Sequence, residues 1–186
     1  MALLEIKVLG CPILRKRALP VGVIAEEAQR LIDDMFDTMY AAEGIGLAAP
    51  QVGVGQRLFV LDVGPRDASA EPMALINPEV LWSAGEVVEE EGCLSLPEVV
   101  GEVARAAHVR VGALDREGTP FEVEMSGIGA RAAQHEIDHL NGILVIDRFS
   151  TIKRNLLRGQ LRRLKRQGKR QAPGLTYAAD EAVNTQ

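Results

Sequence analysis

Gln134-His135-Glu136-Ile137-Asp138-His139-Leu140 is the stretch that decides the fold. Four residues turn an α-helix by about 400°, so the two histidines leave one face of a helix a turn apart. Two imidazole nitrogens in that position can converge on one metal ion, and Glu136 can then reach a metal-bound water as general acid and base. The alternative is a buried helix whose histidines make ordinary hydrogen bonds.

The flanks of this stretch favour the helix. An apolar stripe at helical spacing runs through it, formed by Ile128, Ala132, Ala133, Ile137 and Leu140. Gly142 stands where helices commonly stop.

Composition indicates a folded, cytoplasmic protein. The 186 residues suit one domain, and 47% hydrophobic with 25% charged residues are ordinary globular values. We expect no secretory signal, since residues 1–9 lack a basic start before a long apolar run. No apolar run approaches the roughly 18 residues that a membrane span needs. Two cysteines are too few for a disulfide scaffold.

The net charge of −5 hides an uneven distribution. Residues 148–170 contain ten basic residues and no acidic one, and only two acids follow them. Since the whole chain has 21 basic and 26 acidic residues, residues 1–147 hold 11 and 24, a net charge of −13. A basic C-terminal segment on an acidic body suggests a polyanionic partner.

The remaining pattern predicts an α+β domain, with mixed or antiparallel β-sheets wrapped around the central helix and a helix near each end of the chain. Strands are predicted over 3–8, 57–63, 73–77, 86–91, 107–114 and 121–125. Helices are predicted over 25–42 and 151–167, the second with Ile152, Leu156, Leu157, Leu161 and Leu164 on one face. Taken alone, the small residues of 44–51 indicate a tight helix-to-strand crossing. We expect one domain over 1–167 and a flexible tail over 168–186.

A third ligand is needed, because a catalytic tetrahedral metal takes three protein ligands and leaves one position open. Val145 occupies the place where one group of zinc peptidases carries a histidine, and it cannot coordinate. Asp138 faces away from the ligands and is expected either to support them indirectly or to lie at the surface, and His108 is interpreted as an ordinary strand residue. Asp147 can also be proposed, but Cys93 is the better candidate because a thiolate binds metals strongly. A buried structural thiol remains the alternative.

Three motifs together resemble those of the peptide deformylases. Residues 44–51 resemble the family's first motif, Gly-x-Gly-x-Ala-Ala-x-Gln. Residues 91–95, Glu-Gly-Cys-Leu-Ser, resemble the second, and 134–140 resemble the third. Their order and separations are similar too, as is the opening segment 12–15, and the resemblance runs from about residue 6 to the terminal helix.

The resemblance implies hydrolysis of the N-terminal formyl group of N-formylmethionyl peptides, with release of formate. It implies that Cys93, His135 and His139 hold the metal and that Glu136 is the general acid and base. Oxyanion donors would be the Gln51 side-chain amide and the Leu94 backbone N–H, and Gly46 would bind substrate through its backbone. The metal is expected to be Fe(II), although Zn(II), Ni(II) or Co(II) can occupy such a site.

Two positions depart from the family pattern. Val100 stands where some members carry an arginine that helps hold the peptide backbone. Glu89 occupies a position that is often apolar near the methionine pocket. These departures concern peptide contacts and side-chain preference, and they leave the metal chemistry unchanged.

The basic helix resembles the segment with which some of these enzymes dock on the ribosome. Its arginines are Arg154, Arg158, Arg162, Arg163 and Arg166. A solvated helix face is the alternative. Two rival functions stay open on the residues: a zincin-type metallopeptidase, and a non-catalytic ribosome-binding protein whose metal is structural.

Overall fold

The His135–His139 stretch lies within a 14-residue helix, Gly127–Leu140, at the centre of the fold. This helix, α2, ends where Gly142 adopts a φ of +73°, and a Cβ atom there would lie 2.8 Å from the Arg15 carbonyl oxygen. Glycine is therefore required at the helix end. These features come from a computed structural model, which describes residues 2–64 and 70–171. Most of the tail expected over 168–186 lies outside the described residues.

The described residues form seven strands and five α-helices. The strands are β1 Gly46–Ala48, β2 Leu58–Leu61, β3 Met73–Ala84, β4 Val87–Cys93, β5 Leu96–Arg105, β6 His108–Leu114 and β7 Pro120–Ser126. Besides α2, the helices are α1 Glu26–Ala41, α3 Val145–Arg148, α4 Thr151–Leu156 and α5 Arg158–Gly168. Within the described part of the chain, no helix combines the length and the apolarity that crossing a bilayer requires.

Five strands form one antiparallel sheet in the order β1-β2-β3-β6-β7. Helices cover both faces, so all four residues of β2 are buried. Phe59 and Leu61 pack in a sheet–α2 cluster, which includes Ala130, Ala133 and Leu140 of the helix. Leu58 and Val60 point the other way into a sheet–α1 cluster. The α+β prediction is confirmed.

Strands β4 and β5 form a separate two-stranded hairpin. An isolated hairpin is marginally stable, so this one needs support from other elements. Its inward residues Leu96, Val99 and Val103 belong to a third cluster, whose other buried members are Leu9, Cys11, Leu14, Leu144, Val145, Ile146, Phe149 and Leu164. The hairpin is thus packed on both ends of the chain.

Two predicted elements are wrong in detail. Residues 3–8 do not form a strand, since the Lys7 N–H donates to the Gln51 carbonyl and the Leu9 N–H to the Ser95 carbonyl, which belong to separate segments of the chain. The terminal helix breaks at Leu157 into α4 and α5, next to Gly159. The break turns two residues of the expected apolar face outward, and Ile152 and Leu156 are 74% and 78% exposed. The other three leucines pack on the third cluster.

Candidate metal centre

Three possible ligands converge where α2 meets the end of β4. One ligand atom each from Cys93, His135 and His139 lies within 4.8 Å of the other two. Cys93 Sγ is 3.2 Å from His139 Nε2, and the two imidazole rings are 5.0 Å apart between centroids. The strand register shifts between Glu91 and Cys93, an irregularity of the kind that re-aims side chains next to functional sites.

This group fits a divalent transition metal. One sulfur and two imidazole nitrogens are a known ligand set that leaves a fourth position open. Tetrahedral bonds of usual length place neighbouring ligand atoms roughly 3.3–3.6 Å apart, close to the sulfur–nitrogen distance in the structure. Both histidines are buried. The donor set therefore suits a metal ion.

Glu91 orients the first histidine. Its Oε2 lies 3.1 Å from His135 Nδ1, which leaves Nε2 of that ring for a metal. Burial alone would lower the pKa of His135, but hydrogen bonds with Cys93 and Glu91 raise it well above its ordinary value. The pKa of His139 is lowered well below its ordinary value by burial and by His135. Glu91 therefore fixes the orientation of the His135 ring within the ligand group.

A buried ionic network surrounds Glu91. Arg105 donates two hydrogen bonds to its carboxylate, at 2.9 and 3.0 Å, and Arg131 donates one at 2.7 Å. Arg105 also reaches Asp138 at 2.6 Å, and Arg148 binds both oxygens of that carboxylate. Burial would raise the pKa of Glu91, but its hydrogen bonds with His135 and Arg105 lower it to about 2. Glu91 is therefore an anion throughout the physiological range.

The ionic network was not predicted from the sequence. Glu91 belongs to the second motif but has no role assigned from the sequence, and Asp138 is expected either to support the ligands indirectly or to lie at the surface. The structure buries Asp138, where its partners lie at the end of β5 and at the end of α3. The signal available in sequence was Arg131, a charged residue inside the apolar half of α2, one turn before His135.

Glu136 is buried against β1. Burial raises the pKa of its carboxyl group to about 7, with the nearby Glu91 charge adding to the effect. Within the described residues, Glu136 Oε2 has no hydrogen-bond partner, and neither does His139 Nδ1. A buried carboxylate oxygen without a partner is costly and is typical of groups that meet a ligand or substrate.

Gln51 aims its amide at the same place. Its Oε1 accepts a hydrogen bond from the Ala48 N–H at 2.8 Å, which fixes which end of the amide is the donor. The Nε2 group then lies 3.3 Å from Ser95 Oγ and 3.7 Å from Cys93 Sγ. Leu94 lines the same cavity. Segment 44–51 is therefore part of the site, and it also forms β1 and a 3₁₀ helix, Ala49–Val52.

Gln51, Cys93, His135 and Glu136 line one cavity of about 420 Å³. Gly44, Ile45 and Gly46 form one side, and the β4 residues from Glu90 to Cys93 form another. Ile128, Arg131 and Ala132 of α2 complete the wall. A cavity of this size accommodates a short peptide segment or a small molecule.

The other candidates lie apart from the ligand group. His108 is exposed at the start of β6, as expected of a strand residue. Val145 is buried in the third cluster, and Asp147 pairs with Arg15. Val100 lies in β5 and is exposed.

Glu89, the second departure from the family pattern, has a partner. Its carboxylate accepts a hydrogen bond from Arg131 Nε at 3.1 Å. A charge at this position is therefore matched by an opposite charge on α2.

The sequence is similar to those of known proteins over most of its length. A model of the family described as polypeptide deformylase matches residues 3–155. A peptide deformylase of Thermodesulfovibrio yellowstonii is 50% identical over 165 residues, which cover 89% of this chain and 100% of that protein. One of Alkalilimnicola ehrlichii is 48% identical, covering 96% of this chain and 100% of the relative.

Solved structures give the same result. The crystal structure of a peptide deformylase from Legionella pneumophila superposes with a TM-score of 0.82 at 48% identity, covering 91% of this chain and 99% of that one. Peptide deformylase 1B of Arabidopsis thaliana, crystallised in complex with an inhibitor, has a TM-score of 0.83 at 36% identity. The alignment covers 88% of this chain and 91% of the plant chain.

Proposed function

Because the chain belongs to the polypeptide deformylase family, we propose that Cys93, His135 and His139 hold its metal ion and that Glu136 carries the proton of the reaction. The activity is that of the family: the protein is a hydrolase that removes the N-terminal formyl group from nascent peptides. One observation supports the residue proposal above all others, namely that three ligand atoms lie within 4.8 Å of one another.

The bound ion would polarise the formyl carbonyl and make a water molecule acidic near neutral pH. The Glu136 carboxylate takes the proton of the attacking water and delivers it to the nitrogen of the departing amine. The C–N bond breaks, formate keeps the oxygen of the water, and the peptide leaves with a free amino group. Burial raises the pKa of the Glu136 carboxyl group to about 7 in the metal-free protein, and a bound cation would favour the carboxylate form that accepts the proton.

Two donors would stabilise the oxyanion that forms as water attacks. Gln51 Nε2 is held at the site by the Ala48 N–H that fixes its oxygen. The backbone N–H of Leu94 is the second donor, directly after Cys93. Gly46 offers backbone hydrogen bonds to the peptide, since β1 is an edge strand of the five-stranded sheet.

We propose Fe(II) as the native metal. A thiolate with two imidazoles also accepts Zn(II), Ni(II) and Co(II), so metal supply shares in the choice. Metal analysis of protein purified without oxygen, together with formate release from formyl-Met-Ala-Ser, tests the metal and the activity on the same sample. Activity that follows zinc content and not iron content would overturn the choice of iron.

The ligand set is tested by replacing the two cysteines in turn. Cys93→Ala should lose metal and formate release together. Cys11→Ala is the matched control, because Cys11 is buried in the third cluster and is not one of the three converging ligands. Full metal content in Cys93→Ala would refute the assignment of this ligand.

We further propose that the arginines of α4 and α5 bind ribosomal RNA, and that the enzyme works in the cytoplasm on chains leaving the ribosome. The leucines at 157, 161 and 164 face the third cluster. Five arginines of these helices are exposed: Arg154, Arg158, Arg162, Arg163 and Arg166. None of the five has an ion-pair partner within the described residues. We treat residues 1–167 as a single catalytic domain that includes these helices.

Sedimentation with ribosomes at increasing salt tests this docking. Because each arginine that binds a phosphate steepens the salt dependence, replacing Arg158 and Arg162 by glutamine should weaken binding and flatten its slope. Replacing Arg30 and Arg110, which are paired with Glu26 and Glu124 elsewhere on the protein, is the matched control. Equal binding by both double variants would refute docking through this helix.

A further inference from the structure

The candidate metal centre lies between two parts of the hydrophobic core. Helix α2, which carries both histidines, packs its apolar residues in the sheet–α2 cluster. The hairpin, which carries Cys93, packs β5 in the third cluster. Within the described residues, α2 contributes no apolar residue to the third cluster, and the hairpin contributes none to the sheet–α2 cluster. Polar contacts therefore set how α2 and the hairpin lie relative to each other at the ligands.

Arg131 of α2 makes four of these polar contacts with the hairpin. It lies one helical turn before His135, and its guanidinium is buried with the residue 5% exposed. Within the described residues, all four of its side-chain hydrogen bonds end on the hairpin: Nε to Glu89 Oε2 at 3.1 Å, Nη1 to Glu91 Oε1 at 2.7 Å and to the Val103 carbonyl at 3.1 Å, and Nη2 to the Val87 carbonyl at 3.0 Å.

Arg105 also connects the hairpin to α2, but it binds only side chains within the described residues. It joins the Glu91 and Asp138 side chains and, within the described residues, donates to no backbone carbonyl. Arg131 instead binds the main chain of both strands of the hairpin as well as the carboxylate that orients His135. Its planar fork of five donors makes this possible, and a lysine could not reproduce it.

We propose that Arg131 is a positioning residue that fixes the strand carrying Cys93 to the helix carrying the two histidines, and thereby sets how tightly the site holds its metal. This inference rests on the ligand set proposed above. Residues that orient metal ligands commonly change metal affinity by roughly 10–100-fold when they are removed. Arg131 is not itself a ligand and takes no proton in the reaction.

Metal affinity tests the proposal without reference to activity. Zn(II) and Co(II) affinities are measured by competition with a chelator for the wild type, Arg131→Met and Arg131→Lys, together with the visible spectrum of the Co(II) form. We expect roughly 10–100-fold weaker binding for Arg131→Met with an altered spectrum, and a smaller loss for Arg131→Lys. Arg110→Met, which removes an exposed arginine paired with Glu124, should bind metal like the wild type.

Thermal unfolding of the metal-free proteins separates positioning from general destabilisation. Wild-type metal affinity and spectrum in Arg131→Met, with only a lower melting temperature, would overturn the proposal. Unchanged affinity with a raised KM would also overturn it, since Arg131 lines the cavity and would then be a substrate contact. If Arg131→Met does not fold, Arg131→Lys decides the matter by the same measurements. A wild type that binds metal but releases no formate would refute the proposed site function and leave this affinity comparison valid.

Discussion

Gly46 and Glu136 lie against each other so closely that a Cβ atom on Gly46 would stand 2.6 Å from Glu136 Oε1. Real Cβ atoms do not approach an oxygen this closely, so any larger residue at position 46 would force the Glu136 carboxylate to move. The proposed peptide-binding strand β1 therefore packs directly against Glu136, the side chain that we propose to carry the proton. One methyl group is enough to test this fit.

Gly46→Ala should displace the Glu136 side chain while leaving the metal ligands in place. A misplacement of about 1 Å at a reacting group can lower the rate roughly 10²-fold, and we expect a loss of that size in formate release. Gly55→Ala is the control, because a Cβ atom there meets nothing within 4 Å. Kinetics and metal content are measured on both variants. Loss of metal from Gly46→Ala would contradict the explanation through Glu136.

Glu136→Gln keeps the shape of the side chain and removes its ability to accept a proton. We expect formate release to fall roughly 10²–10⁴-fold with metal content unchanged. Because the buried carboxyl group no longer ionises, the variant should unfold at a temperature no lower than the wild type. Substantial activity in metal-loaded Glu136→Gln would mean that another group moves the proton.

Gln51→Ala removes the donor that the Ala48 N–H holds in place. Loss of one oxyanion donor costs about 2.7–4 kcal/mol of transition-state stabilisation, so kcat should fall roughly 10²–10³-fold. Ser95→Ala removes the side chain that accepts from Gln51 Nε2 at 3.3 Å but leaves that donor in place, and it should have a smaller effect. A change in KM alone for Gln51→Ala would assign the amide to substrate binding.

Local patterns predicted α2 and the shared face of its two histidines, because spacing along one helix needs no knowledge of distant contacts. Strand β5 was missed for the opposite reason. From Val99 to Arg105 its residues alternate between buried and exposed, but two of the buried positions are Gly101 and Arg105. Gly101 is buried against the Phe149 ring, where a Cβ atom would lie 2.8 Å from the ring, and Arg105 is buried by its acidic partners. Both reasons come from residues far along the chain.

The ionic network around Glu91 could not be predicted for the same reason, since it depends on residues far apart in the chain. A sequence shows that Arg131 interrupts an apolar helix face, but not that four acceptors of the hairpin surround it. Gly159 indicated a weak point near Leu157, since glycine destabilises a helix interior. The sequence could not show that the Ile152 and Leu156 side chains are exposed to solvent.

The ion pair between Arg15 and Asp147 gives a pH-dependent prediction away from the metal centre. Burial would raise the pKa of Asp147, but hydrogen bonds from Arg15 and from the Leu144 N–H hold it below its usual range. A lowered folded-state pKa stabilises the protein above the unfolded value of about 3.9, and this stabilisation is lost as the pH falls through the folded pKa.

Asp147→Asn retains an oxygen for the Leu144 N–H but removes the charge and one of the two oxygens that accept from Arg15, so it tests the contribution of the ion pair. The metal-free variant should have a lower free energy of unfolding than the wild type at pH 7, and the difference should shrink below about pH 4. Urea unfolding between pH 3 and pH 7 measures it. Asp33→Asn is the control, since the Asp33 side chain, which pairs with Arg116, is more exposed than that of Asp147 and should contribute less. A difference that stays constant over this range would show that Asp147 acts through packing and not through its charge.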